Sequence, residues 1–126
     1  MKYIVTFIIL GFALIGYSQE KNCSNFRIGE FRYVEENMPE KIIRTESMQI
    51  ETNFDNNVVI KSTIEWISDC TYILTYSEIL NYKYDTSDII GKKIYCEIVE
   101  TNAHEFKVHA KSDTMDEVIP FLKINP

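Results

Sequence analysis

From Val58 to Trp66 the apolar and small residues occupy every second position. Val58, Ile60, Ser62, Ile64 and Trp66 share one face, while Lys61, Thr63 and Glu65 share the other. A period of two places successive side chains on opposite faces of an extended chain, so this segment reads as a half-buried β-strand. The same period governs Phe31 and Tyr33, Met48 and Ile50, and Phe106, Val108 and Ala110. Asp55-Asn56-Asn57 supplies residues that tolerate positive φ, the mark of a hairpin turn. Ser68-Asp69 and Asn102-Ala103-His104 read as further turns.

These signals place strands over 29–33, 42–53, 58–66, 71–76, 92–101 and 105–110, with a polar loop from Tyr82 to Gly91. Thr114-x-x-Glu117 fits a helical capping box, but Pro120 permits only about one turn before it. The C-terminal piece therefore reads as a short turn followed by a last edge strand, Phe121 to Ile124. About seven strands with short connections predict a sequential antiparallel meander. A sheet of that size with one apolar face must curl or close to bury that face and protect its edges. The expectation is all-β: a small up-and-down, lipocalin-like barrel, complete or incomplete, with a two-layer β-sandwich as the alternative.

The N-terminus reads differently. Lys2 precedes an uncharged run from Ile4 to Gly16, followed by the polar Tyr17-Ser18-Gln19-Glu20. That run falls short of the roughly 20 residues that span a bilayer, so residues 1–18 read as a signal peptide cut after Ser18. Glu20-Lys21-Asn22 before Cys23 argues against lipid anchoring. Residues 19–126 then form a single β domain, periplasmic or secreted, with no membrane anchor after cleavage. Of 13 Lys and Arg, one is Lys2, and the rest stand against 19 Asp and Glu. Such an acidic surface repels phosphate backbones and anionic membrane faces, which disfavours nucleic-acid partners.

Export gives the three cysteines a disulfide-permissive compartment. Cys96 shares a strand face with Ile94 and Ile98 and reads as a small buried hydrophobe. Cys23 and Cys70 lie at element ends, where a bridge is sterically easy. The favoured pairing is Cys23–Cys70; the other pairings and a reduced chain remain open alternatives.

Motifs for chemistry are sparse. His109 lies between Lys107 and Lys111 and reads as a surface residue, and His104 sits in a turn. Glu46, Glu51, Glu65, Glu97 and Glu100 are scattered on faces that read as outward or mixed, with no pair selected. The cysteine and histidine spacings do not make a zinc site, and the acidic loops lack the pattern of a calcium loop. Neither a phosphate loop nor a nucleophile elbow is present. No metal, cofactor or catalytic residue is expected. Trp66, Tyr72, Leu74 and Tyr76 read as β core or, more sharply, as the lining of a pocket at the barrel mouth.

Cys23-x-x-Phe26-x-x-Gly29-x-Phe31, then Arg44, Gln49-x-Glu51 and Trp66-x-x-Asp69-Cys70-x-Tyr72-x-Leu74, resembles a family of small exported, functionally uncharacterised proteins of Bacteroidota. The resemblance spans roughly residues 23 to 110. It implies a bacterial envelope or secreted setting and makes Cys23 and Cys70 the natural pair, with Cys96 a departure. Some members carry a DNA topoisomerase IV label. A 126-residue acidic chain without an ATPase motif or nucleophilic-tyrosine domain gives that label no support.

The resulting expectation is a non-enzymatic exported barrel that binds a small apolar or amphipathic ligand. A protein-interaction or structural module is the alternative, and a small hydrolase comes third.

Overall fold

The computed structural model describes residues 21–125; the expected signal peptide over residues 1–18 lies outside them. A short 3-10 turn, Cys23–Phe26, precedes eight strands. These are β1 (Gly29–Tyr33), β2 (Glu40–Arg44), β3 (Met48–Asn53), β4 (Val59–Trp66), β5 (Thr71–Leu80), β6 (Lys93–Thr101), β7 (Glu105–Lys111) and β8 (Asp116–Asn125). Each pairs antiparallel with its sequence neighbour, and β8 returns to pair with β1, closing the barrel. The up-and-down barrel expected from the alternation is therefore the observed fold, and the sandwich is not.

Two expectations need correction. The stretch 42–53 is not one strand but two, β2 and β3, joined at Thr45-Glu46-Ser47. Thr45 N donates to Met48 O at 2.9 Å, and the Thr45 hydroxyl accepts from Met48 N at 3.2 Å, so a threonine side chain closes this turn. It contains no glycine, proline or asparagine to mark it, and the strand count rises from about seven to eight.

The C-terminal piece is neither a capped turn nor an edge. β8 runs straight through Pro120, which sits opposite Lys107 of β7. The Pro120 carbonyl accepts from Val34 N, so its ring nitrogen faces the β1 side, just where the pairing with β1 ends at Tyr33. The missing N–H therefore leaves the β7 ladder intact, and proline is tolerated.

Asn57 adopts φ 63°, as the Asp55-Asn56-Asn57 turn requires. Gly29 enters β1 at φ 144°, a conformation that L side chains rarely adopt, so glycine is favoured there.

The 3-10 turn plugs one end of the barrel. Phe26 O accepts from Arg44 Nη1 at the end of β2, Asn25 O from Lys123 Nζ on β8, and Asn22 N donates to Thr101 Oγ1 on β6. Cys23 is bridged to Cys70 at the start of β5, with the Cα atoms 5.3 Å apart. The favoured disulfide is thus formed, and Cys96 is buried and free. Phe26 packs tilted against Phe106 with ring centres 4.6 Å apart, and the rings of Phe31 and Phe121 are each centred 5.3 Å from that of Phe106. Phe121 in turn meets Tyr33 at 5.2 Å. This aromatic file runs along the β1–β7–β8 seam from the plug toward the opposite end.

Candidate ligand-binding cavity

Away from the plug the interior opens into a cavity of about 190 Å³. The cause is local. Directly opposed residues on neighbouring antiparallel strands share a face. Ile42 pairs with Glu51 and Arg44 with Gln49, and both Ile42 and Arg44 are buried. Gln49 and Glu51 therefore point inward, and Met48 and Ile50 take the outer face. Opposite them, β7 contributes Val108 and the small Ala110. Polar and small inward residues fill less of the barrel than the phenylalanines below them.

The cavity has two unlike walls. Tyr33, Arg44, Gln49, Glu51, Ser62, Tyr72 and Tyr76 bring polar atoms from β1 to β5, set among Ile42, Ile60 and Leu74 of the same strands. Ile94, Val108, Ala110, Ile119 and Phe121, with Cys96, form an almost wholly apolar wall from β6 to β8. Met115, from the β7–β8 connection, borders the cavity on the side away from the plug.

Arg44 is the centre of the polar wall and is only 3 % exposed. Its Nε and Nη2 donate to Gln49 Oε1 at 3.2 and 2.8 Å, Nη2 to the Tyr72 hydroxyl at 3.1 Å, and Nη1 to Phe26 O at 3.0 Å. The guanidinium also lies 4.7 Å from the Tyr72 ring centre and 5.3 Å from that of Phe31. Among the described residues no carboxylate comes within 4.0 Å of it. It is a buried cation solvated by dipoles and aromatic faces. Burial pushes the Tyr72 phenol up to about 12, with the Arg44 charge opposing that rise.

Glu51 sits in the adjacent row, further from the plug. Tyr33 Oη donates to Glu51 Oε2 at 3.2 Å. Burial raises the Glu51 carboxyl above the usual carboxylate range, the Tyr33 hydrogen bond works against that rise, and the nearby charge of Glu40 adds to it. Tyr33 is pushed far up by burial and then by the Glu51 charge, and Tyr76 is raised by burial first and Glu51 second. These phenols are donors, not proton sources, at neutral pH. Of the carboxylates expected on outward or mixed faces, Glu51 points inward and lines the cavity.

Of the four residues expected to line a pocket, Tyr72, Leu74 and Tyr76 do so. Trp66 does not. It shares their inward face but lies at the plugged end, 4.6 Å from the Tyr72 ring with the Arg27 guanidinium 4.3 Å over it. Cys96 borders the cavity as a buried thiol, pushed up to about 11 by burial. His109 lies on the outer surface, its Nε2 2.6 Å from Asp116 Oδ1. Among the described residues no cluster of three His, Cys, Asp or Glu could hold a metal ion, and no helix is long and apolar enough to cross a membrane.

The residues that pattern reading missed are Tyr33, Arg44, Gln49 and Glu51. Charged side chains on a strand read as outward by default, so alternation hides them. Three of them stood in the quoted pattern Arg44, Gln49-x-Glu51, which was the available signal. The chain matches no protein-family model, no curated protein and no solved structure.

Proposed function

We propose that this chain is an exported, non-enzymatic barrel that binds a small amphipathic molecule inside its cavity. The observation that carries this reading is the two-walled interior: polar side chains set among Ile42, Ile60 and Leu74 on β1 to β5, facing a wall on β6 to β8 that is almost wholly apolar. A side-chain-filled barrel of this size needs no such asymmetry. Apolar lining with a few fixed polar groups is what small-molecule sites share. Export is supported by the disulfide, which persists in oxidising compartments.

Native mass spectrometry of protein taken from its own periplasm or medium tests the reading. A retained small-molecule mass is the expected result. Consistently ligand-free spectra would overturn it.

A second reading, docking of another protein, is favoured by the outer face over β5 to β8. Ile67, Tyr95 and Val118 stand 59 %, 53 % and 53 % exposed there, and Ile67, Ile73 and Tyr95 line a shallow groove. The same spectra distinguish it, because a co-purifying chain adds a protein-sized mass.

A further inference from the structure

The strand register aligns the polar wall into a row. Arg44 pairs with Gln49, Gln49 with Ser62, and Ser62 with Tyr76, one residue from each of β2, β3, β4 and β5. All four side chains line the cavity. Building on the ligand-binding reading above, we infer that this row is a carboxylate seat. The ligand is a small monocarboxylate whose acid group meets Arg44 and whose apolar body lies against β6 to β8.

Three observations carry the assignment. First, Arg44 is a buried cation without an acidic partner among the described residues, a costly arrangement that a bound anion relieves. Its hydrogen bonds use four of five N–H groups, leaving one on Nη1. Second, the row is rich in donors. Gln49 turns its carbonyl oxygen to Arg44, which fixes the amide flip and leaves the Nε2 hydrogens facing elsewhere. Among the described residues, neither Gln49 Nε2, Ser62 Oγ nor Tyr76 Oη donates to any group, so all three remain available to an acceptor in the cavity they line. Planar charge-assisted recognition of this kind is what arginine does best with carboxylates.

Third, the neighbouring row limits the charge and size of the guest. Ile42, Glu51 and Ile60 lie opposite one another there, and the Glu51 carboxyl repels a doubly charged anion such as phosphate more than a single carboxylate. A cavity of about 190 Å³ is little larger than one of about 150 Å³ that accepts benzene. One ring or a short chain fits, and a long-chain fatty acid does not. Tyr76 and Met115 also border an outer groove, where Lys92 and Lys93 are balanced by Asp88 and Asp113.

The test is calorimetric titration of the disulfide-intact chain at pH 7 with matched probes: benzoate, benzyl alcohol and benzylamine, then hexanoate and hexan-1-ol. The acids should bind at least ~10-fold tighter than the alcohols, as a charge-assisted contact requires, and palmitate should bind more weakly than hexanoate. If an alcohol or benzylamine binds as tightly as the acid, the carboxylate seat is wrong while ligand binding stands. If no probe binds at millimolar concentration, the ligand-binding reading falls and the seat with it. Arg44→Gln should erase the preference for acids. Since Arg44 also holds Phe26 and Tyr72, Ser62→Ala provides a gentler check: it should weaken benzoate more than benzylamine, and equal weakening counts against the seat.

Discussion

The two halves of the barrel obey one alternation and reach opposite results. Toward the plug, the inward positions are Phe26, Phe31, Phe106 and Ile98, all but inaccessible to solvent. Toward the other end they include Glu51, Tyr76 and Ala110, which leave a cavity, and Arg44 and Gln49 stand between the two, Arg44 lining the cavity while it donates to Phe26 O of the plug. Both halves share the same eight strands, so the difference lies in side-chain volume and polarity, not in topology. Burying Arg44 and Glu51 lowers stability. Dense aromatic packing and a covalent bridge at the plugged end offset that cost, so one half secures the fold and the other holds the polar groups.

The sharpest way to break this comparison is to truncate a large side chain in each half. Phe106 contacts Phe26, Phe31 and Phe121 at once, so Phe106→Ala should cost roughly 3–5 kcal/mol. Met115 borders a space that already exists, and Met115→Ala should cost under about 1 kcal/mol. Urea denaturation of both variants measures the gap. Similar losses would mean that the two halves are packed alike.

The bridge comes next. Cys23 and Cys70 are 47 residues apart and tie the plug to β5. Replacing both by serine should cost about 2–4 kcal/mol, mainly through the freed unfolded chain. The effect should fall on the plugged half, so ligand affinity of the folded fraction should persist. A variant that keeps its parent's urea midpoint would show that the plug is held without the bridge.

How much of this was legible follows from what a period of two encodes. It gives the face of each residue but not its depth along the barrel. The alternation puts Trp66, Tyr72, Leu74 and Tyr76 on inward faces, yet Trp66 belongs to the plug and Tyr76 to the cavity. Depth is set by register, including the extra residue Ser77 on β5 between Glu78 opposite Lys61 and Tyr76 opposite Ser62. Charge misled in the same region. Arg44 and Glu51 break the apolar alternation, so the sequence of β2 and β3 reads as one strand and hides their shared turn. The bridge is legible because Cys23 and Cys70 sit at element ends, and the full extent of β8 is not, because Pro120 reads as a breaker.

Cys96 reports on the boundary between the halves, since Tyr72 and Ala110 flank it across β5 and β7. With its thiol pushed up to about 11, alkylation by iodoacetamide at pH 8 should be on the order of 100-fold slower than for an unhindered thiol. Peptide mapping should find full labelling only in denaturant. Rapid labelling of native protein would mean that the cavity half opens freely, and the contrast would become one of dynamics as well as packing.

The smallest effect should come from Glu51→Gln, and its sign is informative. Burial raises the Glu51 carboxyl in the folded chain, so the native state holds this proton more tightly than the unfolded one. The resulting stability is complete below the unfolded value, ~4.3, and is lost as pH rises through the native one. Glutamine mimics the protonated acid and still accepts from Tyr33. Urea midpoints of parent and variant should therefore coincide near pH 3 and separate above it, the variant being modestly more stable at pH 7 to 8. The groups facing Glu51 that shape this curve are Tyr33, Glu40 and Tyr76. If the variant is instead less stable at pH 8, the Glu51 carboxylate is a favourable partner in the native interior. Arg44, which lines the same cavity one row away, is the candidate to receive it, and a cation already neutralised from within would no longer call for an anion from outside.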